Sequence, residues 1–375
     1  MRKRNKYNLS NYKLMTGNMG YLYPISFYDV LPGDTFKLSS TLLVRCSPLV
    51  APVMHPVNVT VHHFFVPYRL IWDKFEDFIT GGSDGDDDDV IPIVQLGGDY
   101  QVAGSLANYF GIPSRDGLSV ATVNALPFRA YNFIWNEFYR DQDLQAEVDQ
   151  SDLNLKKVNV EKDYFTTARP SPQKGTAVSI PLDLDVRVPA RNISVRATMG
   201  GADANLRTED SSGDVKTANK YAANIEFSGS EPAFIATVPA AGLTLKDLSV
   251  STALQKWKEK RNMYGSRYSE YLASLGVKSS DSRLQRPEYL GGGQRTIQFS
   301  EIVNTGDSSD SPIGSLKGHG INSTRSNTFV KFFSEHGLIM SFAFIRPKNL
   351  YSTSMPRYFL KRTRVDFWNK ELEQL

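Results

Sequence analysis

Short runs in which apolar and polar residues alternate stand near both ends of the chain, separated by long stretches without such a period. Phe36, Leu38, Ser40, Leu42 and Val44 alternate with Lys37, Ser39, Thr41, Leu43 and Arg45. A period of two sends successive side chains to opposite faces of a strand, so this run predicts a half-buried strand, ended by Pro48 and Pro52. Val57, Val59, Val61, His63 and Phe65 predict a second strand. Pro67 stops it and suits the first turn of a short helix carrying Leu70, Ile71, Phe75 and Phe78. Near the other end, Thr296, Gln298 and Ser300 alternate with Ile297, Phe299 and Glu301. Beyond them, Phe329 to Phe333 and Leu338 to Ile345 predict two strands paired around Glu335-His336-Gly337.

Strands gathered at both ends, with long inserts between, do not fit regular strand-helix alternation. They predict a mainly β protein, an antiparallel sandwich or jelly roll, with helical and irregular insertions. No repeat of about 20 to 50 residues recurs, which excludes solenoids and propellers. The 27 Gly and 19 Pro punctuate many short segments and favour strands and loops over long helices. Length alone allows one large domain with insertions or two domains.

Two inserts have a helical period. Pro127 opens a helix running to Arg140, on which Phe128, Tyr131, Trp135 and Phe138 form an aromatic stripe that is expected to pack on the core. Leu254 to Leu275 predicts a second helix, with an interruption expected at Gly265. Residues 170 to 245 are rich in Gly, Ala, Ser, Asp and Pro around short β-prone pieces such as Val178 to Ile180 and Asn224 to Phe227. That is the composition of a surface excursion from a sheet.

Net charge is only +3, but the cations are clustered. The first 13 residues carry Arg2, Lys3, Arg4, Lys6 and Lys13 with no acid, interleaved with Tyr7 and Tyr12. Cations neutralise phosphates and aromatic rings stack on unpaired bases, so this arm, residues 1–20, is a candidate nucleic-acid contact without regular structure of its own. Its plainer reading is a solubilising tail. Arg357, Lys361, Arg362 and Arg364 form a second basic stretch. Asp84 and Asp86 to Asp89 make an acidic loop, read as solvated, with cation binding as the alternative; it lacks the spacing and Gly of an EF-hand.

Catalytic signals are absent from the sequence. His55, His62, His63, His319 and His336 form no metal-ligand spacing, and His62 and His63 point to opposite faces of their strand. Cys46 is the single cysteine, so no intramolecular disulfide or Cys-based zinc site can form. No nucleophile elbow, Walker loop or dinucleotide fingerprint occurs, and no cofactor is expected. No apolar run approaches the roughly 20 residues that span a bilayer, and Met1 to Lys6 leads into polar sequence instead of a signal core. The chain is expected to stay in the cytoplasm where it is made, without a membrane partner.

Four stretches occur in order: His62-His-Phe-Phe-Val-Pro-Tyr-Arg-Leu-Ile-Trp72, Leu126-Pro-Phe-Arg-Ala-Tyr-Asn-Phe-Ile-Trp-Asn-Glu-Phe-Tyr-Arg-Asp141, Leu284-Gln-Arg-Pro-Glu-Tyr-Leu-Gly-Gly292, and Glu335-His-Gly337 with Arg346-Pro347. Together they resemble the major capsid proteins of the Microviridae, small tailless phages with circular single-stranded DNA, and the gokushovirus-like branch in particular. The resemblance implies an eight-stranded antiparallel jelly roll of the viral capsid type over residues 21–375, with insertions at about 80–125 and 170–290. It implies a structural subunit, not an enzyme, that assembles with copies of itself and other virion proteins into a T=1 icosahedral shell. Such a shell packages single-stranded DNA and presents exterior loops to a host cell-surface receptor; it is assembled in the host cytoplasm. Members of that family usually continue beyond the point where this chain ends, and Trp368, Leu372 and Leu375 share a helical face that invites a continuation or a partner. A truncated sequence or a shortened relative is therefore expected, which leaves a closing strand at one sheet edge in question. Two other classes remain: a jelly-roll carbohydrate-binding module recognising cell-surface glycans, and a glycosidase, for which the sequence pairs no two acids.

Overall fold

The computed structural model describes residues 5–51, 53–82, 89–114, 121–169, 171, 173–178, 245–265, 267–306, 312–353 and 355–367, with the backbone of five short strands between 186 and 236. Two compact units result: Met1–Arg169 with Tyr264–Leu375, and Pro170–Met263.

The first unit opens with β1 (Tyr23–Val30), β2 (Thr35–Leu38), β3 (Thr41–Arg45) and β4 (Val57–Pro67). Next come α1 (Phe75–Thr80), β5 (Ile93–Leu96), α2 (Leu106–Tyr109), β6 (Ala121–Asn124) and α3 (Leu126–Ile134). The second unit contains β7 (Val186–Arg187), β8 (Leu206–Thr208), β9 (Asp214–Thr217), β10 (Ile225–Glu226) and β11 (Ile235–Ala236). Helix α4 (Leu245–Tyr264) runs to its boundary. The first unit resumes with α5 (Tyr268–Ser274), β12 (Glu288–Thr296), β13 (Gln298–Val303), β14 (Leu316–Arg325), β15 (Phe329–Phe332), β16 (Gly337–Pro347) and α6 (Arg357–Leu360). Gly265, at φ +111°, separates α4 from α5, where the sequence predicts the interruption.

The main sheet has the order β1-β16-β4-β12, so the first and last strands of the fold are neighbours. Its partners are the sheet β13-β14-β3 and the pair β15-β2; all these pairings are antiparallel. Between these walls lie two apolar clusters. Val57, Val59 and Ile297 pack with Leu42, Val44 and Phe299, and Val30, Phe65, Phe333 and Ile339 pack with Phe36 and Phe329. This is the interior of an antiparallel jelly roll. Its second wall is divided because the run from Phe36 to Val44 forms two strands instead of one. The Ser40 N–H donates to Ser326 Oγ at 2.8 Å and the Ser326 N–H donates to the Ser40 carbonyl at 2.8 Å, and β2 and β3 pair with different partners on either side.

A further departure concerns β15 and β16. Both strands flank Glu335-His336-Gly337 where expected, yet they do not pair with each other: β15 joins β2, while β16 lies between β1 and β4. Alternation identifies a strand but carries no information on which distant strand completes its ladder.

The central strands β4 and β16 are buried on both faces for most of their length. Away from the jelly-roll interior, Phe64, Val66, Met340, Phe342 and Phe344 pack against α3 and its surroundings. Pro127 starts α3, and the Asn124 Oδ1 accepts the Leu126 N–H at 2.8 Å. Phe128, Tyr131 and Trp135 of the stripe are buried. From Trp135 to Tyr139 the helix widens to a π turn, closed by the Arg140 N–H on the Trp135 carbonyl at 2.9 Å, and Tyr139 is thereby buried as well. The Arg267 guanidinium donates to the carbonyls of Asn136 and Arg140 at 2.9 and 3.0 Å, satisfying acceptors the helix end leaves open. On the same helix, Asn132 Nδ2 donates to the carbonyls of Gln150 and Asp152, and Asn136 exchanges bonds with the Val148 backbone. One helix therefore closes the sheet's second face and holds an irregular loop in place.

Gly292, within the third motif, has a steric cause. A Cβ there would lie 2.2 Å from the Val61 carbonyl oxygen on β4, a backbone atom that cannot swing aside. Gly292→Ala is expected to lower stability by at least about 2 kcal/mol through overpacking. A urea melt of the variant within about 0.5 kcal/mol of the parent would show that the strands yield freely.

Candidate assembly surfaces and nucleic-acid interface

The arm divides into a tethered root and an exposed outer part. The Gly20 N–H donates to the Ile345 carbonyl and its carbonyl accepts the Val158 N–H, both at 2.8 Å. The Tyr23 hydroxyl accepts the Asn18 N–H at 2.7 Å and donates to the Asn18 carbonyl at 3.0 Å, and its ring lies 4.8 Å from Tyr109. The Tyr109 hydroxyl donates to the Thr16 carbonyl at 2.7 Å. These bonds follow from two tyrosines brought together by β1 and α2, whose polar tips need partners at the protein surface.

Lys13 belongs to the root. Its ammonium donates to the Pro24 carbonyl at 3.1 Å and to the Tyr109 carbonyl. Although the residue as a whole is exposed, loss of water around the ammonium lowers its pKa. Residues 5–12 carry no helix or strand and are exposed throughout, with Tyr7 at 81% and Tyr12 at 89%. Lys6 lies in this outer part. Arg2, Lys3 and Arg4 lie outside the described residues, as do Asp84 and Asp86 to Asp88 of the acidic loop and Trp368, Leu372 and Leu375. Of that loop Asp89 is described, and Lys74 pairs with it at 2.6 Å.

The second wall of the jelly roll leaves apolar side chains facing outward. Leu43 on β3, Ile321 on β14, Ile302 and Val303 on β13, and Val330 and Phe332 on β15 are exposed. Each belongs to a strand whose alternate residues are less exposed or buried, apart from the open end of β13. Apolar strand faces turned to water mark contact surfaces for other proteins.

The histidines have structural surroundings. His63 is buried between Ser341 Oγ at 2.8 Å and Ser326 Oγ at 2.9 Å, and His62, on the opposite face of β4, meets the Tyr139 hydroxyl at 2.8 Å. Burial brings both imidazoles down to about 4; Arg346 acts in the same direction on His62, and His62 on His63. Among the described residues, no group of three His, Cys, Asp or Glu side chains could hold a metal ion, and no helix is long and apolar enough to cross a membrane. An open cleft of 320 Å³ is lined by His55, Phe299, Ser300 and Glu301 among others, and Glu301 is its single acid. It offers no carboxylate pair for glycoside cleavage.

An antiparallel jelly roll with a helical insert across one sheet, outward apolar strands and a tethered cationic arm defines a protein that works through its surfaces: a structural subunit of a viral coat. The chain matches the family model described as capsid protein (F protein) over residues 1–375, and it belongs to that family. Similar proteins include the capsid protein VP1 of Bdellovibrio phage phiMH2K, 32% identical over 99% of this chain and 74% of the relative. The capsid protein VP1 of Chlamydia phage 1 is 29% identical over 98% of this chain and 75% of the relative, and that of Spiroplasma virus 4 is 28% identical over 99% and 74%. The resemblance drawn from the four motifs is thereby established. The chain is a capsid subunit that associates with virion components in a shell, and it is a structural protein, not an enzyme.

The basic run from Arg357 to Arg364 was visible in the sequence, but its neighbours in space were not. Arg267, which closes α3, likewise has no local signal: its partners lie more than a hundred residues earlier.

Proposed function

We propose that this chain is the repeating subunit of a small T=1 icosahedral shell that encloses circular single-stranded DNA, assembles in the host cytoplasm and meets a host receptor through its long inserts. The observation that carries the DNA contact is the arm, tethered to the body over residues 11–20 and exposed over 5–12. A root bonded to the body positions the outer part, where Arg2, Lys3, Arg4 and Lys6 supply charge and Tyr7 and Tyr12 supply rings. Lys13 acts in this reading as the anchor, because its ammonium already rests on two carbonyls. The exposed apolar strands supply contacts between copies, and shells of this kind use large obligate interfaces, above about 2,000 Å². Residues 1–20 form the arm and 21–375 the jelly-roll body with its insertions.

Negative-stain electron microscopy of the purified chain tests the shell: uniform closed particles of T=1 size are expected, whereas particles of another size or open assemblies would overturn the T=1 reading. Neutralising Arg2, Lys3, Arg4 and Lys6 to Gln is expected to reduce DNA retention and lower the salt slope of single-strand binding by about 0.7 per lost contact. An unchanged slope removes the arm from the mechanism. Lys13→Gln is expected to loosen the root and leave that slope largely in place.

A further inference from the structure

Two segments far apart in sequence, the root of the arm and residues 348–367, meet at one end of the main sheet. Because β1 and β16 are antiparallel, with Tyr23 opposite Ala343, the start of β1 lies beside the end of β16. The arm enters at Gly20, bonded to the Ile345 carbonyl, and the segment 348–367 departs directly after Pro347. That segment carries five Lys or Arg residues and a single acid, Asp366.

Its first residues are fastened. The Lys348 N–H donates to the Pro56 carbonyl at 3.0 Å, Asn349 Nδ2 donates to the Glu161 carbonyl at 3.1 Å, and the Tyr351 hydroxyl donates to Asp163 at 2.8 Å. Farther along, Tyr358, Phe359 and Phe367 are exposed; the rings of Tyr358 and Phe359 lie 4.3 Å apart, and the Lys361 ammonium sits 4.9 Å from the Phe367 centroid. The Asp366 carboxylate accepts the backbone N–H groups of Arg362 and Thr363 at 2.8 and 2.7 Å. The acid thus shapes the turn on which Arg362 and Arg364 are exposed.

We infer that residues 348–367 are a second single-stranded DNA contact, placed at this end of the sheet, whereas the arm turns back from it along β1, with the Asn11 side chain donating to the Tyr28 hydroxyl at 3.1 Å. Accessible rings, one of them beside the Lys361 ammonium, on a segment that also exposes Arg362 and Arg364 match the two surfaces of an unpaired strand, its base faces and its phosphates. A protein partner would suit Met355, Leu360 and Val365, which are also exposed, but the excess of five cations over one acid favours a polyanion. The inference rests on the DNA-packaging reading above and adds a site to it.

The test is binding of a fluorescent oligothymidine to the full chain across a salt series, with three variants compared. The triple change Lys361→Gln, Arg362→Gln and Arg364→Gln is expected to lower the salt slope by about 2, at about 0.7 per contact. Tyr358→Ala with Phe359→Ala is expected to weaken binding about tenfold or more at every salt concentration while the slope holds. The arm variant with Arg2, Lys3, Arg4 and Lys6 changed to Gln is the third. A slope lowered by the arm variant alone, with both segment variants binding like the parent, overturns the inference and leaves the packaging reading standing; no change in any variant overturns both. Parent-like DNA binding by the segment variants together with impaired particle formation makes the segment a subunit contact and also overturns the inference. Should the triple variant fail to fold, judged by its thermal melt, the aromatic pair decides the question.

Discussion

Replacing Phe342 with alanine is expected to remove about 3–5 kcal/mol of folding free energy, the range for a large aromatic deleted from a packed core. Phe342 is fully buried on β16, with its ring 6.0 Å from Phe64, 5.8 Å from Tyr131 and 6.4 Å from Tyr139. Those neighbours come from β4, α3 and the π turn, so the cavity would open where the helical insert meets the main sheet. Collapse into the space is hindered. The Tyr131 hydroxyl donates to the Leu22 carbonyl and accepts the Lys156 N–H, both at 3.0 Å, and the Trp135 Nε1–H is bonded to the Lys157 carbonyl at 2.7 Å. A helix pinned by such bonds cannot slide to fill a void without breaking them. Against a total stability of about 5–15 kcal/mol, the loss should depress particle yield as well as the urea midpoint. A cost below about 1 kcal/mol would show that the insert is loosely seated and that this interface is not part of the core.

Acid is expected to destabilise the subunit before its carboxylates titrate. Burial holds His62 and His63 near 4, whereas in the unfolded chain they return to about 6.5. A depressed imidazole pKa means that the unfolded state binds protons first. Stability from these groups is therefore intact above about pH 6.5 and falls as the pH drops toward 4, by up to about 1.4 kcal/mol per pH unit for each histidine. Across that window the loss approaches about 3 kcal/mol per site, and water reaching the partly buried His62 would reduce its share. Asp163 acts in a separate range: the Thr166 N–H and the Asn349 and Tyr351 side chains hold its carboxyl well below the usual carboxylate value, so its contribution is lost only in stronger acid. Urea melts at successive pH values give the measurement, and His63→Gln should flatten the profile between pH 6.5 and 4. A level profile over that interval in the parent would show that the two imidazoles are solvated in the folded protein.

Much of the fold was legible in local pattern. The alternation at Val57, Val59, Val61, His63 and Phe65 became β4, the aromatic stripe from Phe128 became the buried face of α3, and Gly265 divided two helices. Each of these is decided within a few residues by side-chain period or backbone freedom. The candidate site was less legible. Lys13 resembles its neighbours in the arm, and its ammonium is occupied by the carbonyls of Pro24 and Tyr109, the second of them ninety-six residues away.

By itself, the sequence determined which segments seek burial, where the backbone must turn, and that charge gathers near residues 1–13 and 357–364. Tertiary structure alone decided that β15 pairs with β2 while β16 enters between β1 and β4, that these central strands are covered on both faces, and that the segment 348–367 leaves the sheet where the root of the arm is bonded. The reason is physical: propensity and period act over one or two turns of chain, whereas strand partners and neighbouring surfaces are set by packing between residues hundreds of positions apart, which leaves no periodic trace in either partner.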